Sequence, residues 1–374
     1  MAVVGTGLEG VVAADSSICY IDGDAGILSY QGFDIHTLAE HATFEEVVYL
    51  LWQGRLPNRA ELGRLKADLV RARPIPDAVV KFLASVKRCP PMDVLRTAVS
   101  MLGLEDPLAR DNSLDASVRK AVQLVARTAT VVTTFERLRT DRAVVEPDPG
   151  LGYAANFLYT LNGKRPEPVM ERAMDVALIL HADHELNAST FAARVVAATL
   201  SDIYSAVTAA IGALKGPLHG GANEEVIRLL LEVKNADHAV EVVREKLEKK
   251  IKIPGFGHRV YRTEDPRATH LRRLSEELGR RTNHLNLYLI SREVEQTIQR
   301  AKGLNANVDF YSASTYYSLG ISIDLFTPIF AVSRMSGWTA HVLEQYRNNR
   351  LIRPRADYKG APVGQHWVPL ADRA

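Results

Sequence analysis

The stretch Ile253-Pro-Gly-Phe-Gly-His-Arg-Val-Tyr-Arg-Thr-Glu-Asp-Pro-Arg267 combines two glycines, one histidine and three arginines in a short segment. Asp265 and Pro266 are typical of a helix cap and a first helical residue, and leucines follow at helical spacing. The pattern predicts a loop that brings cations and an imidazole to the start of a helix, a place that favours anions. An ordinary turn before a solvated basic helix explains the local pattern equally well.

Outside this stretch, the helical hydrophobic period dominates the chain. Apolar residues recur at helical spacing from Thr43 to Arg347, interrupted by prolines and glycines. The clearest strand signal is in residues 17–35, where two β-prone runs flank Asp22-Gly-Asp-Ala-Gly26 and predict a small hairpin. We therefore predict an all-α protein of roughly fifteen to twenty helices with one hairpin. Glycine-rich breaks at 216–221 and near 303–322 indicate hinges around a smaller domain.

Composition limits the partners of this chain. Its 374 residues are 47% apolar and 24% charged, which is ordinary for a globular protein. A formal net charge of +2 argues against nucleic acid and anionic membranes as partners, so any anion binding has to be local. Cys19 and Cys89 are expected to be buried or free thiols in a reducing compartment. No apolar run approaches the ~18 residues of a membrane span, and no export pattern opens the chain. We expect a cytoplasmic protein.

Two histidines lie in glycine-rich turns. His219 precedes a helix start near Asn223, where the helix dipole disfavours the imidazolium; a neutral imidazole there can donate to a carbonyl that becomes an enolate. His258 can donate to an oxygen that gains charge. For each residue, a turn histidine without a chemical role is the alternative.

Asp309 and Arg334 each allow a structural and a chemical interpretation. Asp309 stands just before a predicted helix, where its local sequence favours an N-cap; a general base for a carbon proton would instead be desolvated, with a raised pKa. Arg334 shares one helical stripe with Phe330, Trp338 and His341, and this stripe is predicted to be buried. A buried arginine needs an anionic partner, which is either a protein carboxylate or a ligand.

His181 and His184 suggest a different chemistry. They are three residues apart on a predicted helix, a spacing that can serve one metal ion. The order is neither His-Glu-x-x-His nor His-x-x-Glu-His, and a third ligand is unspecified. Core packing and contact with an organic anion are the alternatives.

Several motifs, taken together and in order, resemble the citrate synthase family over essentially the whole chain. The matching segments are residues 21–35, 181–191, 216–223, 255–261 with 265–267, 307–312, 326–334 with 337–341, and 352–358.

The resemblance implies a two-domain helical homodimer with a small N-terminal β-hairpin. Residues 1–217 and 323–374 would form the large domain and residues 218–322 the small domain, which would close over oxaloacetate. Only a short segment precedes the hairpin, so we expect neither the N-terminal domain of the NADH-inhibited bacterial type nor control by NADH.

The reaction implied is the condensation of oxaloacetate with acetyl-CoA, followed by hydrolysis of citryl-CoA, the entry step of the tricarboxylic acid cycle. In the family pattern Asp309 takes a proton from the acetyl methyl group, and His219 hydrogen-bonds the thioester oxygen as the enol forms. His258 donates to the oxaloacetate carbonyl. No metal and no cofactor is implied, because acetyl-CoA is a substrate.

The resemblance also assigns binding residues. The substrate contacts it implies are His184, Arg267, Arg334 and Arg353 for oxaloacetate, Phe330 beside the reacting groups, Arg262 for a CoA phosphate, and the backbone around 252–257, with Gly255 and Gly257, for adenine. Arg353 would reach from the partner subunit. Guanidinium groups suit carboxylates because they bind them in bidentate fashion.

Three alternatives stay open. A 2-methylcitrate synthase shares the fold and catalytic triad but takes propionyl-CoA; such members often have Pro at the position of Arg259 and Glu at that of Asp183. One added methylene is worth only ~1–3 kcal/mol in a pocket, so relaxed specificity is plausible. A metallohydrolase using His181 and His184 is a remote alternative. A non-catalytic helical scaffold is the third.

Overall fold

The computed structural model describes residues 6–8 and 10–373, and this part of the chain contains sixteen α-helices and one small sheet. Residues 1–5, 9 and 374 lie outside the described residues. The expectation that the chain opens without an export pattern concerns these first residues, most of which lie outside the described part. Both ends of the predicted large domain, at residues 1 and 374, also lie outside it.

The predicted hairpin is present. Strands β1 (Cys19–Asp22) and β2 (Ile27–Tyr30) pair antiparallel, with Cys19 opposite Tyr30. The turn is held by the Asp22 carboxylate, which accepts from the backbone N–H groups of Asp24 and Ala25 at 3.0 and 2.9 Å. A third strand, β3 (Phe33–Asp34), pairs with β2 and was not predicted.

The first ten helices follow the hairpin with short connections, and most begin at a cap that the sequence carries. Thr43 and Glu46 form the expected capping box at the start of the second helix. The helices are α1 (Ile35–His41), α2 (Phe44–Gln53), α3 (Arg59–Ala72), α4 (Asp77–Ser85), α5 (Pro91–Leu104), α6 (Leu114–Arg139), α7 (Tyr153–Asn162), α8 (Pro168–His181), α9 (Ala188–Ala197) and α10 (Ile203–Leu214).

The remaining six helices carry the segments that the motifs single out. They are α11 (Ala222–Val233), α12 (Ala239–Glu248), α13 (Pro266–Arg281), α14 (Leu285–Lys302), α15 (Val308–Ser318) and α16 (Phe326–Arg347). Four short 3₁₀ turns lie at Thr6–Leu8, Ala236–His238, Ile323–Leu325 and Leu370–Asp372. The segment after Arg350 is an extended, largely exposed tail.

The core is organised around α16. Its residues are buried on every side, including Met335 and Trp338, as expected of a helix surrounded by others. It packs against α2, α6, α8, α9 and α10, whereas α13 and α15 pack against each other. The division into 1–217 with 323–374 and 218–322 stays a prediction. Within residues 6–8 and 10–373, none of the helices is both long and apolar enough to cross a membrane.

Candidate active site

The loop that precedes α13, residues 253–265, is fixed by backbone hydrogen bonds near each of its ends. Gly255 has φ +82°, and a Cβ there would lie 2.8 Å from atoms of Phe310 and Val226, so only glycine fits this bend. Asn307 donates from its backbone N–H to the Gly255 carbonyl at 3.0 Å. On the other side the Arg262 N–H donates to the Gly23 carbonyl in the hairpin turn at 2.8 Å. The loop is therefore clamped between the start of α15 and the hairpin.

His258 is presented by this loop as a neutral hydrogen-bond donor. Its Nδ1 accepts from the backbone N–H groups of Val260 and Tyr261 at 3.0 and 3.2 Å, so the proton is assigned to Nε2. Burial, and then the Arg267 guanidinium, lower the pKa of His258 to about 4. The ring lies 5.3 Å from that of His184, centroid to centroid. The imidazoles of His258 and His184 are therefore neighbours.

Arg267 is paired in a bidentate manner with Asp265. Its Nε and Nη2 donate to the two carboxylate oxygens at 2.9 and 2.8 Å, and both side chains are buried. Burial lowers the pKa of Arg267, but the charge of Asp265 outweighs this, so the net pKa is raised. Asp265 also accepts from the backbone N–H of Val308 at 3.0 Å. One carboxylate therefore joins the start of α13 to the start of α15.

His219 is held by Ser189 at the start of α9. Its Nε2 accepts from the Ser189 backbone N–H at 3.2 Å and lies 2.8 Å from the Ser189 hydroxyl. The proton is therefore assigned to Nδ1, which is left free to donate. Burial, and then Arg334, lower the pKa of His219 to about 4. His219 thus lies just ahead of α11 with Nδ1 in position to donate.

The interpretation of Asp309 as the helix cap is wrong. The cap of α15 is Asn307, whose side chain accepts from the Asp309 backbone N–H at 3.1 Å, and Asp309 is the second residue of the helix. Asp309 is half-buried. Burial raises the pKa of Asp309 to about 6, although the positive charges of Arg267 and Arg334 offset part of this rise. A carboxyl group in this environment suits a general base.

Arg334 occupies the buried stripe that the sequence predicts. Its guanidinium lies 4.8 Å from the centroid of the half-buried Phe330 ring, and its Nε donates to the His181 carbonyl at 2.7 Å. Arg334 affects the pKa values of His184, His219 and Asp309. The charged and titratable residues therefore surround one common space.

The premise of the metal hypothesis, that His181 and His184 lie on one helix, is wrong. Helix α8 ends at His181, whose Nδ1 lies 2.7 Å from the Ala177 carbonyl, and His184 follows in a turn. His184 Nε2 lies 3.3 Å from the Tyr261 hydroxyl, on the side of His258. Burial, then Arg267, lowers the pKa of His184. Among residues 6–8 and 10–373, no group of three or more His, Cys, Asp or Glu side chains could hold a metal ion.

A cavity of about 470 Å³ opens beside these groups. Gly255, Gly257 and Asn307 line it, together with three cations and three carboxylates, which are Lys215, Arg228, Lys252, Glu224, Glu225 and Asp324. The formal charges of its lining are therefore balanced.

Two predicted contacts lie elsewhere in the chain. Arg262 is exposed and lines a smaller adjoining cavity of about 190 Å³ with Gly257 and His258. Arg353 is exposed in the tail and lines a separate cavity of about 950 Å³ beside Arg194 and Glu344. Within one chain, Arg353 is therefore not among the residues that surround the common space.

Sequence reasoning missed three residues that shape the site. Ser189 fixes the tautomer of His219, Asp265 pairs with Arg267, and Tyr261 contacts His184. Asp265 was identified only as a cap. The signal for Ser189 was a helix start at Asn187-Ala-Ser-Thr190, but its contact with a turn thirty residues later has no local signature.

The comparison with protein families decides the relationship. Residues 7–355 match the family model described as "Citrate synthase, C-terminal domain". The chain belongs to the citrate synthase family. It is therefore an acyltransferase of the citrate synthase type, and the predicted all-α fold is confirmed.

Relatives and solved structures of the citrate synthase family agree over nearly the full length. Citrate synthase 2 of Bacillus subtilis is 55% identical over 98% of this chain and 99% of its own, and the citrate synthase of Haloferax volcanii is 49% identical over 95% of each. The citrate synthase crystal structure from Pyrobaculum aerophilum has a TM-score of 0.91 at 42% identity, covering 98% of this chain and 95% of that one.

The family also includes the nearest predicted alternative. A 2-methylcitrate synthase of Shewanella oneidensis is 43% identical over 99% of this chain and 98% of its own. Identities of 55% and 49% to citrate synthases keep citrate synthesis the favoured function.

Proposed function

We propose that the chain condenses oxaloacetate with acetyl-CoA and hydrolyses citryl-CoA to citrate and free CoA. One observation carries the assignment of roles. The neutral imidazole of His219, with a free Nδ1–H, interacts electrostatically with Arg334, and that of His258, with a free Nε2–H, interacts with Arg267; the Asp309 carboxyl group of raised pKa interacts with both of these buried arginines. A base, an enol stabiliser and an oxyanion donor are what this reaction requires.

The steps follow from these groups. Asp309 removes a proton from the acetyl methyl group while His219 donates to the thioester oxygen, so an enol forms. The enol carbon attacks the oxaloacetate carbonyl carbon, and His258 donates to the oxygen that gains charge. Water then cleaves the thioester of citryl-CoA, which releases citrate and the CoA thiol.

Arg267, Arg334 and His184 bind oxaloacetate in this proposal. Asp265 occupies Nε and Nη2 of Arg267, so the remaining Nη1 edge is available to a substrate carboxylate. Phe330 lies over Arg334 and supplies an apolar wall beside the reacting carbons. CoA would occupy the 470 Å³ cavity, with adenine against Gly255 and Gly257 and phosphates near its cations; Arg262 is an additional phosphate contact.

We propose further that the enzyme works as a homodimer in the cytoplasm, without a cofactor. Arg353, exposed in the tail, would complete the oxaloacetate site of the partner. Support for the location comes from Cys19 and Cys89, which are both free thiols.

The deciding assay measures free CoA from oxaloacetate plus either acetyl-CoA or propionyl-CoA. We expect faster turnover of acetyl-CoA. No turnover of either thioester would contradict the proposal, and a strong preference for propionyl-CoA would make the enzyme a 2-methylcitrate synthase.

Subunit mixing tests the shared site. A heterodimer of Arg353→Ala and Asp309→Ala subunits, each inactive alone, should recover one working site because both defects then fall in one site and leave the other site intact. Absence of any recovered activity would show that Arg353 does not cross to the partner.

A further inference from the structure

A buried polar chain runs from α9 to the turn that carries His184. Arg194, 3% exposed, donates from Nη1 to His341 Nδ1 at 3.0 Å, and the same nitrogen lies 2.6 Å from a Glu344 oxygen. His341, wholly buried on α16, has its Nε2 3.2 Å from Asp183 Oδ1 in a bent polar contact that falls short of good hydrogen-bond geometry. Asp183 is also wholly buried.

The order of donors fixes the state of His341. A guanidinium has no acceptor, so His341 Nδ1 has to accept from Arg194. The single ring proton is then on Nε2 and faces the Asp183 carboxylate. Arg194 itself is held by Glu344 and by Gln345, whose side-chain oxygen accepts from its Nε at 3.1 Å.

Asp183 in turn holds the backbone next to His184. Its Oδ2 accepts from the Glu185 N–H at 3.0 Å, and Glu185 has φ +54°, a conformation that side-chain-bearing residues rarely adopt. The Asn187 side chain donates to the His184 carbonyl at 3.2 Å. A strained turn persists only where its surroundings hold it, and Asp183 provides one of these contacts.

Asp183 also acts electrostatically on Arg334. Within residues 10–373, Arg334 has no carboxylate oxygen within 4.0 Å, and its Nε donates only to the His181 carbonyl. Among nearby charges, Asp183 has the largest effect in keeping the Arg334 guanidinium charged against its burial. Gly337 of α16 lies so close to the turn that a Cβ there would collide with the Ala182 carbonyl and the Asp183 carboxylate. The helix and the turn are thus in direct contact.

We propose that His341 and Asp183, anchored by Arg194, are positioning residues that hold His184 and Arg334 in place for the oxaloacetate carboxylates. Neither residue touches the reacting atoms. The inference rests on the proposed function, since it assigns oxaloacetate to His184 and Arg334. The inference also goes beyond the proposed function, because the catalytic and binding residues of that proposal do not include Arg194, His341 or Asp183.

The test compares three variants at neighbouring positions. His341→Phe keeps an aromatic ring but leaves Arg194 and Asp183 without their shared partner. His341→Gln can donate to Asp183 and accept from Arg194, and is the rescue. Val342→Ala, a truncation at the next, wholly buried position, is the control for a general loss of stability.

Affinity for oxaloacetate alone is measured by calorimetry, together with the KM of each substrate and the melting temperature. We expect His341→Phe to weaken oxaloacetate binding about 10-fold or more, the scale of a lost hydrogen bond to a charged group. The KM of acetyl-CoA should change little, His341→Gln should recover most of the affinity, and Val342→Ala should lower the melting temperature without affecting affinity.

Unchanged oxaloacetate affinity in His341→Phe would overturn the inference. So would losses of affinity for both substrates that follow the melting temperature across all three variants. If the wild-type enzyme itself fails to bind oxaloacetate, the proposed function fails instead.

Nitrogen NMR of the His341 ring in the unmodified enzyme gives a test that needs no variant to fold. One protonated Nε2 and one unprotonated Nδ1 are expected, as the Arg194 contact requires. A ring protonated at Nδ1 would overturn the inference.

Discussion

Replacing Asp309 by asparagine should abolish catalysis and stabilise the protein. Burial raises the pKa of Asp309 from an ordinary 3.8 to about 6, which means that the folded state disfavours the charge that the base needs. The full difference corresponds to about 3 kcal/mol at neutral pH. The side chain is half-buried and retains some solvent, so we expect a gain of ~1–3 kcal/mol in the free energy of unfolding of Asp309→Asn.

The pH dependence has a defined sign. A carboxyl group whose pKa is raised in the folded state binds its proton more tightly there, so the penalty is absent below about pH 4 and complete above about pH 6. Urea unfolding of both proteins at pH 4, 5, 6 and 7 should therefore show equal stabilities at the acid end and a growing advantage of Asp309→Asn towards pH 7.

Asp115→Asn is the matched control. Asp115 is likewise the second residue of a helix, α6, but it is exposed. Its replacement should cost about 0.3–1 kcal/mol through the lost interaction with the helix dipole. The reasoning is refuted if Asp309→Asn loses stability at pH 7 as Asp115→Asn does. A variant that still exchanges the methyl protons of acetyl-CoA with solvent would show that Asp309 is not the base.

Further predictions follow from the same site. Turnover should fall below about pH 6 with the slope of a single protonation, because Asp309 then becomes protonated. The two catalytic imidazoles, with pKa values of about 4, should cause no additional loss of turnover above pH 5, and a pH–rate profile checks both expectations. Gly337→Ala should lower the free energy of unfolding by about 1–3 kcal/mol through its collision with the 182–183 backbone and side chain, whereas Gly212→Ala, in a helix with open space, should be neutral or stabilising in the same urea titration. Arg267→Lys should raise the KM of oxaloacetate about 10-fold or more, because lysine cannot reproduce the bidentate geometry. Dialysis against a chelator should leave turnover unchanged, and lost activity that zinc or magnesium restores would contradict a metal-free mechanism.

Local signals predicted the helix starts well. Asp265-Pro266 and Thr43 with Glu46 begin helices in the structure as the sequence indicates, because a cap bonds to backbone only two or three residues away. Arg334, Trp338 and His341 are buried as the sequence indicates, but most other residues of α16 are buried too, so helical spacing did not single out one buried face.

The cap of α15 shows where local reasoning ends. Asn307 and Asp309 are both good cap residues two positions apart, and the sequence favoured the wrong one. Asn307 also donates from its side chain to the Gly257 carbonyl at 3.0 Å, a contact across fifty residues. Asp309 is thereby left without a capping role. That choice depends on tertiary structure, as do the contacts of Ser189 with His219 and of Asp183 with His341.

The roles themselves came from the motif resemblance. The residue types and their spacing alone indicate a helical enzyme that binds a small anion. The order and combination of the motifs pointed to one family, and the family match supports it.

The contact between the hairpin turn and the loop before α13 affects the order in which the enzyme folds. Gly23 lies against the Val260 carbonyl so closely that a Cβ would collide with it, and its own carbonyl accepts from the Arg262 N–H. These partners are far apart in sequence, and contacts of this kind form slowly because a long loop has to close first. During refolding from urea, helical circular dichroism should therefore return before turnover does. A nascent chain on the ribosome would lack this contact of its hairpin turn until the loop is synthesised.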